Sequence, residues 1–202
     1  MSVDEHRTRP FDGADLSGSA FENSSYVRCS FRETSLSSAT TTGCSFEACD
    51  FTDARLNGSE HRRSSFNGCS FKGASLFSGK FEDCRLIGAS LEEADLTAIT
   101  ISGGDLSYAY LFEKKNLKAQ DLRGVRFVGT ELAGCDLTGA DLRDADLTRA
   151  NLSRARLRGE DLRAARVDGV DLSALDLKDV KLDVGQAILL ARRLGAEVDL
   201  EG

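Results

Sequence analysis

The 202-residue chain reads as an all-β solenoid closed by a short C-terminal α-helix. Three observations predict this class. A large apolar residue recurs at every fifth position, a small residue stands two positions before most of them, and after Leu182 the pattern changes to that of a capped helix. A helix repeats every 3.6 residues and a strand every 2, so neither holds a period-five series on one face. A chain that turns a corner every five residues does.

Residues 1–10 are polar and read as a frayed lead-in, with the single proline, Pro10, where the repeat begins. The series then runs from Phe11 through Leu16, Phe21 and Tyr26 to Leu111, and only Thr41 and His61 interrupt it. One extra residue shifts the register, and the count resumes at Phe112 and Leu117 and continues to Leu182. Phe31, Phe51, Phe71, Leu91, Leu142 and Leu162 are predicted core centres of this series. The residue two positions earlier is small and inward, as at Ala14, Cys29, Ala74, Ala140 and Ala145, giving a motif A-[D/N]-L-x-x. Phe centres tend to follow Ser, Cys or Gly and Leu centres tend to follow Ala, which is the volume matching that a close-packed interior requires. The remaining three positions face water.

After Leu182 the residues 183–195 form the cap. Asp183 suits a helix N-cap, Gln186 completes a capping box, and Gly195 suits the position past the helix end. Val184, Ala187, Ile188, Ala191 and Leu194 form an apolar stripe expected to seal the last coil, widened by Leu189 and Leu190. Residues 196–200 alternate like a short strand. Two readings of this tail stand, a cap alone or a cap that also makes a dimer contact through Ile188, Leu189, Leu190, Leu194, Val198 and Leu200.

No apolar run is long enough to span a bilayer and no secretory signal opens the chain. The formal charge of −7 argues against general affinity for nucleic acid or anionic membrane. All six cysteines, Cys29, Cys44, Cys49, Cys69, Cys84 and Cys135, fall at the small inward position and have no metal-site spacing. They read as buried small hydrophobes in a reduced cytoplasm. No cofactor or metal site is expected. With two histidines and no nucleophile–base arrangement or phosphate loop, the chain does not read as an enzyme.

The five-residue motif over about residues 11–182 resembles that of the pentapeptide-repeat proteins. The resemblance implies a right-handed, quadrilateral β-helix with four pentapeptides per coil. Residues 20 apart would then stack at about 4.8 Å, giving roughly nine coils. LysLeuAsp at 181–183, GlnAla at 186–187, LeuLeu at 189–190, ArgLeuGly at 193–195 and LeuSerTyrAla at 106–109 are similar to the Qnr-type quinolone-resistance proteins. That group, with MfpA and the albicidin-resistance protein, implies rod-like homodimers joined at the C-terminus that bind DNA gyrase and topoisomerase IV and protect them from inhibitors. Many Qnr-type proteins carry two loops in the first half, whereas the count here runs unbroken from 11 to 106.

On four pentapeptides per coil, Thr41 and His61 stack on one face, marking either a surface patch open to a partner or a locally loosened face with His61 turned outward or hydrogen-bonded inside. The slip at 107–121 predicts a kink or bulge, with Lys115 and Gln120 at positions that should be small and inward. Glu160 is a similar irregularity.

The resemblance also implies partial DNA mimicry by an acidic rod. Residues 1–111 carry 16 acids against 10 bases, and 112–202 carry 17 against 16. Candidate partner-surface acids are Asp121, Asp141, Asp161, Asp136, Asp176, Glu92, Glu93 and Asp95. Arg123, Arg143 and Arg163 run parallel to the first three and dilute their charge. Duplex DNA offers a phosphate about every 1.7 Å, denser than one Asp per coil, so shape and specific contacts rank above bulk charge. Two functional classes remain: protection of a topoisomerase, or a repeat scaffold for another protein partner.

Overall fold

The protein, seen in a computed structural model that describes residues 5–111 and 115–199, is a four-faced β-solenoid with one C-terminal helix. Phe112 and Leu200 lie outside the described residues. The strands are β1 (Glu5–Arg7), β2 (Ala20–Glu22), β3 (Ser25–Val27), β4 (Thr40–Thr42), β5 (Ser45–Glu47), β6 (Glu60–Arg62), β7 (Ser65–Asn67), β8 (Lys80–Glu82) and β9 (Thr100–Ser102). All pair in parallel, in the orders β1-β3-β5-β7 and β2-β4-β6-β8-β9. The ladder begins earlier than the periodic count suggests. Glu5–Arg7 pairs with Ser25–Val27, so His6 acts as the first centre and these residues are no frayed lead-in.

Single bridges extend the strands into long ladders. One face climbs nine rungs, Glu5, Ser25, Ser45, Ser65, Arg85, Asp105, Arg126, Asp146 and Arg166. The next runs from Pro10 to Asn151, and two more carry Asp15–Asp95 with Asn116–Arg156, and Ala20–Thr100 with Asp121–Lys181. The step between rungs is 20 residues, except across the slip, where Asp105 pairs with Arg126 and Tyr110 with Glu131. The extra residue therefore falls between Tyr110 and Asn116, and the pairing on two faces continues past it.

The interior explains the period. Phe31, Phe51, Phe71, Leu91, Leu142 and Leu162 are all buried. Residues one coil apart stack ring on ring at the rung spacing: Phe11–Phe31 at 4.7 Å, Phe31–Phe51 at 4.8 Å and Phe51–Phe71 at 5.0 Å, each pair nearly parallel. A second column, Tyr26–Phe46–Phe66, stacks at 4.8 and 4.9 Å. The two columns meet edge to face, as Phe31 meets Phe46 at 72°. Both arrangements suit the quadrupole of the rings.

The small inward position has a second role. Its hydroxyl or thiol donates to a carbonyl of the preceding coil: Thr34 Oγ1 to Phe11 O at 2.7 Å, Cys49 Sγ to Tyr26 O at 3.4 Å, Cys69 Sγ to Phe46 O at 3.5 Å. Across the slip, Thr130 Oγ1 reaches Leu106 O at 2.7 Å and Cys135 Sγ reaches Leu111 O at 2.8 Å. All six cysteines are free and buried, which fits their reading as small hydrophobes with a weak donor.

Lys115 takes the small position at the slip. Its side chain is buried and Nζ donates to Ala94 O at 2.6 Å, replacing the hydroxyl of its counterparts. Gln120 is only half-buried. At Gly104, just before the slip, an added Cβ would lie 2.1 Å from Cys84 O, so the coils approach too closely there for any side chain.

The centres set the stability. Leu142→Ala should cost about 2–5 kcal/mol in urea unfolding, whereas Arg143→Ala on the adjacent surface should stay within about 1 kcal/mol. Equal losses for the two variants would refute the inward assignment.

Candidate protein interface

The C-terminal helix, α1 (Val184–Arg193), closes the last coil. The Asp183 side chain accepts from Gln186 N at 3.0 Å, and Gln186 Oε1 accepts from Asp183 N at 3.0 Å, forming the capping box. Gln186 does more than cap the helix. It is buried, and its Nε2 donates to Leu162 O at 2.6 Å and Ala165 O at 2.7 Å, occupying carbonyls that a further coil would otherwise meet.

This docking decides which way the helix faces. Leu190 packs against the core, and with Leu189 and Arg193 it borders a cavity of about 200 Å³ over Val167, Val170 and Leu172. The stripe expected to seal the coil faces the other way. Val184 is 76% exposed and Leu194 68% exposed, Ala187 is exposed, and Ile188 and Ala191 are half-buried. The reason is that Gln186 and Leu190, four residues apart, take the inward face, which turns the Val184–Leu194 stripe to solvent. Leu190 thus belongs to the chain's own packing, while Leu189 and Leu194 are exposed and Val198 half-buried. Residues 196–199 form no strand.

The candidate acids do not form one patch. Asp121, Asp141 and Asp161 stack on one face, Asp95 and Asp136 lie on the neighbouring face, Asp176 lies beyond the last bridge of that face, and Glu92 and Glu93 lie at a corner. Most are already engaged. Arg123, Arg143 and Arg163 chelate Asp121, Asp141 and Asp161 at 2.5, 2.5 and 2.7 Å. These side-chain hydrogen bonds hold all three carboxyls below the usual range, Asp161 at about 2. Asp136 pairs with Lys118 at 3.1 Å and Arg156 at 3.4 Å, and Lys72 lies 3.8 Å from Glu92 and 4.0 Å from Glu93. Asp95 Oδ1 accepts from Thr97 N at 2.9 Å, and Asp176 Oδ1 from Lys178 N at 3.1 Å.

Thr41 and His61 are no surface patch. Both are buried, with Thr41 Oγ1 2.9 Å from His61 Nδ1 and Ser59 Oγ 2.8 Å from Nε2. His61 also packs on Phe81 at 4.6 Å and edge-on to Phe66 at 5.1 Å. A neutral imidazole with both ring nitrogens partnered replaces an apolar centre at little cost.

Pentapeptide repeats are matched in eight copies within residues 14–53, 29–60, 49–76, 121–159 and 145–183. The chain belongs to the pentapeptide-repeat family. No curated protein matches it by sequence alone. Among solved structures of the family, it is similar to a trypsin-treated form of QnrB1, a plasmid-mediated fluoroquinolone resistance protein, with TM-score 0.84, 27% identity and 98% of each chain covered. Full-length QnrB1 gives TM-score 0.72 at 26% identity, over 95% of this chain and 100% of that one. Among the described residues of this pentapeptide-repeat protein, no His, Cys, Asp and Glu cluster could hold a metal and no helix is long and apolar enough to cross a membrane.

Glu160 is the one inward position that breaks the rule of satisfied polar groups most openly. It is fully buried between Ala140 and Val180 in the sequence of rungs, and neither carboxylate oxygen has a hydrogen-bond partner. Burial pushes its carboxyl up to about 7, with Asp136 adding to the shift. Its backbone carbonyl accepts from Lys181 N at 2.9 Å, tying the last coil to the one beneath.

These two buried groups give opposite pH dependences. The folded state holds the Glu160 proton up to about pH 7 and the unfolded chain only to about 4.5, so stability falls as pH rises through that window. Burial lowers His61 to about 3 against 6.5 when unfolded, so its contribution is intact above 6.5 and is lost as pH falls toward 3. Thermal melts from pH 4 to 8 should show Glu160→Gln more stable than the parent at pH 8 and similar to it near pH 4.5. Parallel curves for the two proteins would contradict the burial of an ionisable carboxyl.

Proposed function

We propose that this protein binds a type II topoisomerase, DNA gyrase or topoisomerase IV, and protects it from inhibitors such as quinolones or natural gyrase poisons. The observation that carries the reading is the end-to-end likeness to QnrB1, which covers 98% of both chains and so includes the helical cap as well as the repeats. A likeness confined to the solenoid would speak only for the fold. The protein works in the cytoplasm, where its target lies, without binding nucleic acid itself.

The contact relies on shape and specific side chains more than on acidic mimicry of DNA. A duplex presents uncompensated phosphates, whereas Asp121, Asp141 and Asp161 each carry an arginine of their own. A rigid column with a solid core is preordered for binding, so little conformational entropy is lost on association.

The active form is a homodimer joined through the cap. Val184, Ala187, Ile188, Ala191 and Leu194 present an apolar stripe on a helix already anchored by Gln186, and a second copy of the same stripe would bury it. Leu194→Asp should halve the mass in light scattering with little change in melting temperature. Leu190→Asp should instead lower the melting temperature, since Leu190 packs inward. An unchanged mass for Leu194→Asp would discard the cap contact.

Protection is tested by gyrase supercoiling in the presence of ciprofloxacin or albicidin, with and without the purified protein. Recovery of supercoiling at micromolar protein is expected. Neither rescue nor inhibition of the enzyme would discard the topoisomerase reading in favour of a scaffold for another partner.

A further inference from the structure

The outward positions of the repeats are mostly Asp, Ser, Thr, Arg and Gly, and beside the register slip they become aromatic. Tyr108 is 60% exposed and Tyr110 53% exposed, two residues apart at the corner and face that follow Asp105. Their backbones are held in the ladders. Tyr108 N donates to Val128 O at 2.8 Å and Tyr110 N to Ala89 O at 2.9 Å. An added Cβ on Gly129 would lie 2.7 Å from Tyr108 Cε1, so the ring lies over the bare backbone of the next coil. Half-buried Ile87 and Val128 flank it along the same corner.

The charges around this strip are unlike those elsewhere on an acidic chain. Its acids are already engaged, Asp105 by Arg126 at 3.3 Å and Glu131 by Asn151 Nδ2 at 2.7 Å. Arg85, one coil below Asp105 on the preceding face, and Arg149, two coils above Tyr108 along the same corner, have no carboxylate partner among the described residues. Two exposed aromatics with few rotatable bonds, carried on ladder-bonded backbone with two uncommitted cations in the coils below and above, have the make-up of a binding hot spot. Its complement is a protein surface with an apolar pocket rimmed by carboxylates. Nucleic acid offers no such pocket, and two tyrosines are too small an area for a lipid surface. Phe77, 46% exposed at the opposite corner, stands alone and needs no partner.

We infer that the Tyr108–Tyr110 corner, with Arg85 and Arg149, is the surface that docks on the topoisomerase, seating both rings in an acidic-rimmed apolar pocket. This rests on the topoisomerase reading above and assigns the contact to a face away from the Asp121–Asp141–Asp161 ladder. Docking of this kind depends on apolar burial, so it should persist at salt concentrations that screen exposed charges.

The test is binding of the full-length protein to immobilised DNA gyrase holoenzyme by surface plasmon resonance. Tyr108→Ala with Tyr110→Ala should weaken binding by about tenfold or more, a hot-spot loss. Arg85→Glu with Arg149→Glu, which leaves the corner backbone untouched, should weaken it several-fold. Phe77→Ser and Asp141→Asn should leave it unchanged, and melting curves should show all variants folded. Wild-type binding unaffected by either double variant would overturn this assignment alone. Binding lost in Asp141→Asn, or abolished by moderate salt, would overturn it in favour of acidic mimicry. No gyrase binding by the wild type would overturn it together with the topoisomerase reading.

Discussion

The structure depends on a backbone constraint repeated from corner to corner. Among the described residues, two positions after every centre from His6 to Leu177 but Leu172 the chain enters the left-handed region, as at Thr8, Asn23, Arg28, Glu33, Ser38 and onward to Asp179. An L-residue in that region costs about 1–2 kcal/mol, and among the described residues nineteen non-glycine residues accept it. The cost is offset because each corner turns the chain onto the next face, where its amides and carbonyls pair with the coils above and below. Where the corner fails, near Ala174, a short 3₁₀ turn at Leu172–Ala174 takes its place, and the last coil ends soon after.

The same corners couple residues one coil apart. Asp53 and Asp83 fold their carboxylates over the next corner, so an added Cβ on Gly73 or Gly103 would lie 2.4 Å from an Asp oxygen. Tyr108 over Gly129 follows the same pairing with an aromatic ring. A solenoid of identical coils would present uniform surfaces. Here the pairing of a bulky corner with a bare one lets a single coil carry a distinctive side chain without disturbing the ladder. That is how a repetitive fold acquires a local binding feature.

Among the described residues, polar side chains at inward positions follow one rule with one exception. Thr34, Thr41, Ser59, His61, Thr130, Lys115 and Gln186 all find partners, most of them carbonyls of the adjoining coil. Glu160 finds none and remains protonated to near neutrality instead. The column thus tolerates hydroxyls, an imidazole, an ammonium and an amide at inward positions because the neighbouring rung offers acceptors at a fixed spacing. It has no comparable supply of donors for a carboxylate.

The five-residue count and the small-large alternation were enough to place Phe31, Phe71, Leu142 and the six cysteines inside, because burial in a solenoid depends only on position within the repeat. The Asp183–Gln186 capping box was equally legible, being a local matter of four consecutive residues. Three features were legible only in part. Periodicity shows that a helix has an apolar stripe but not which neighbour it meets, so only the docking of Gln186 and Leu190 turned Val184 and Leu194 outward. For His61 the sequence left an outward and an internally hydrogen-bonded ring both open, and the coil decided by bringing Thr41 and Ser59 onto its two ring nitrogens. The neutralising arginines beside the acidic ladder were legible as a parallel series, and the structure adds that each chelates the aspartate two residues before it. The signal for Tyr108 and Tyr110 was present, two aromatics where Asp, Ser or Gly is usual. Their exposure and their rest against Gly129 were decided by the stacking of coils, which no single repeat contains.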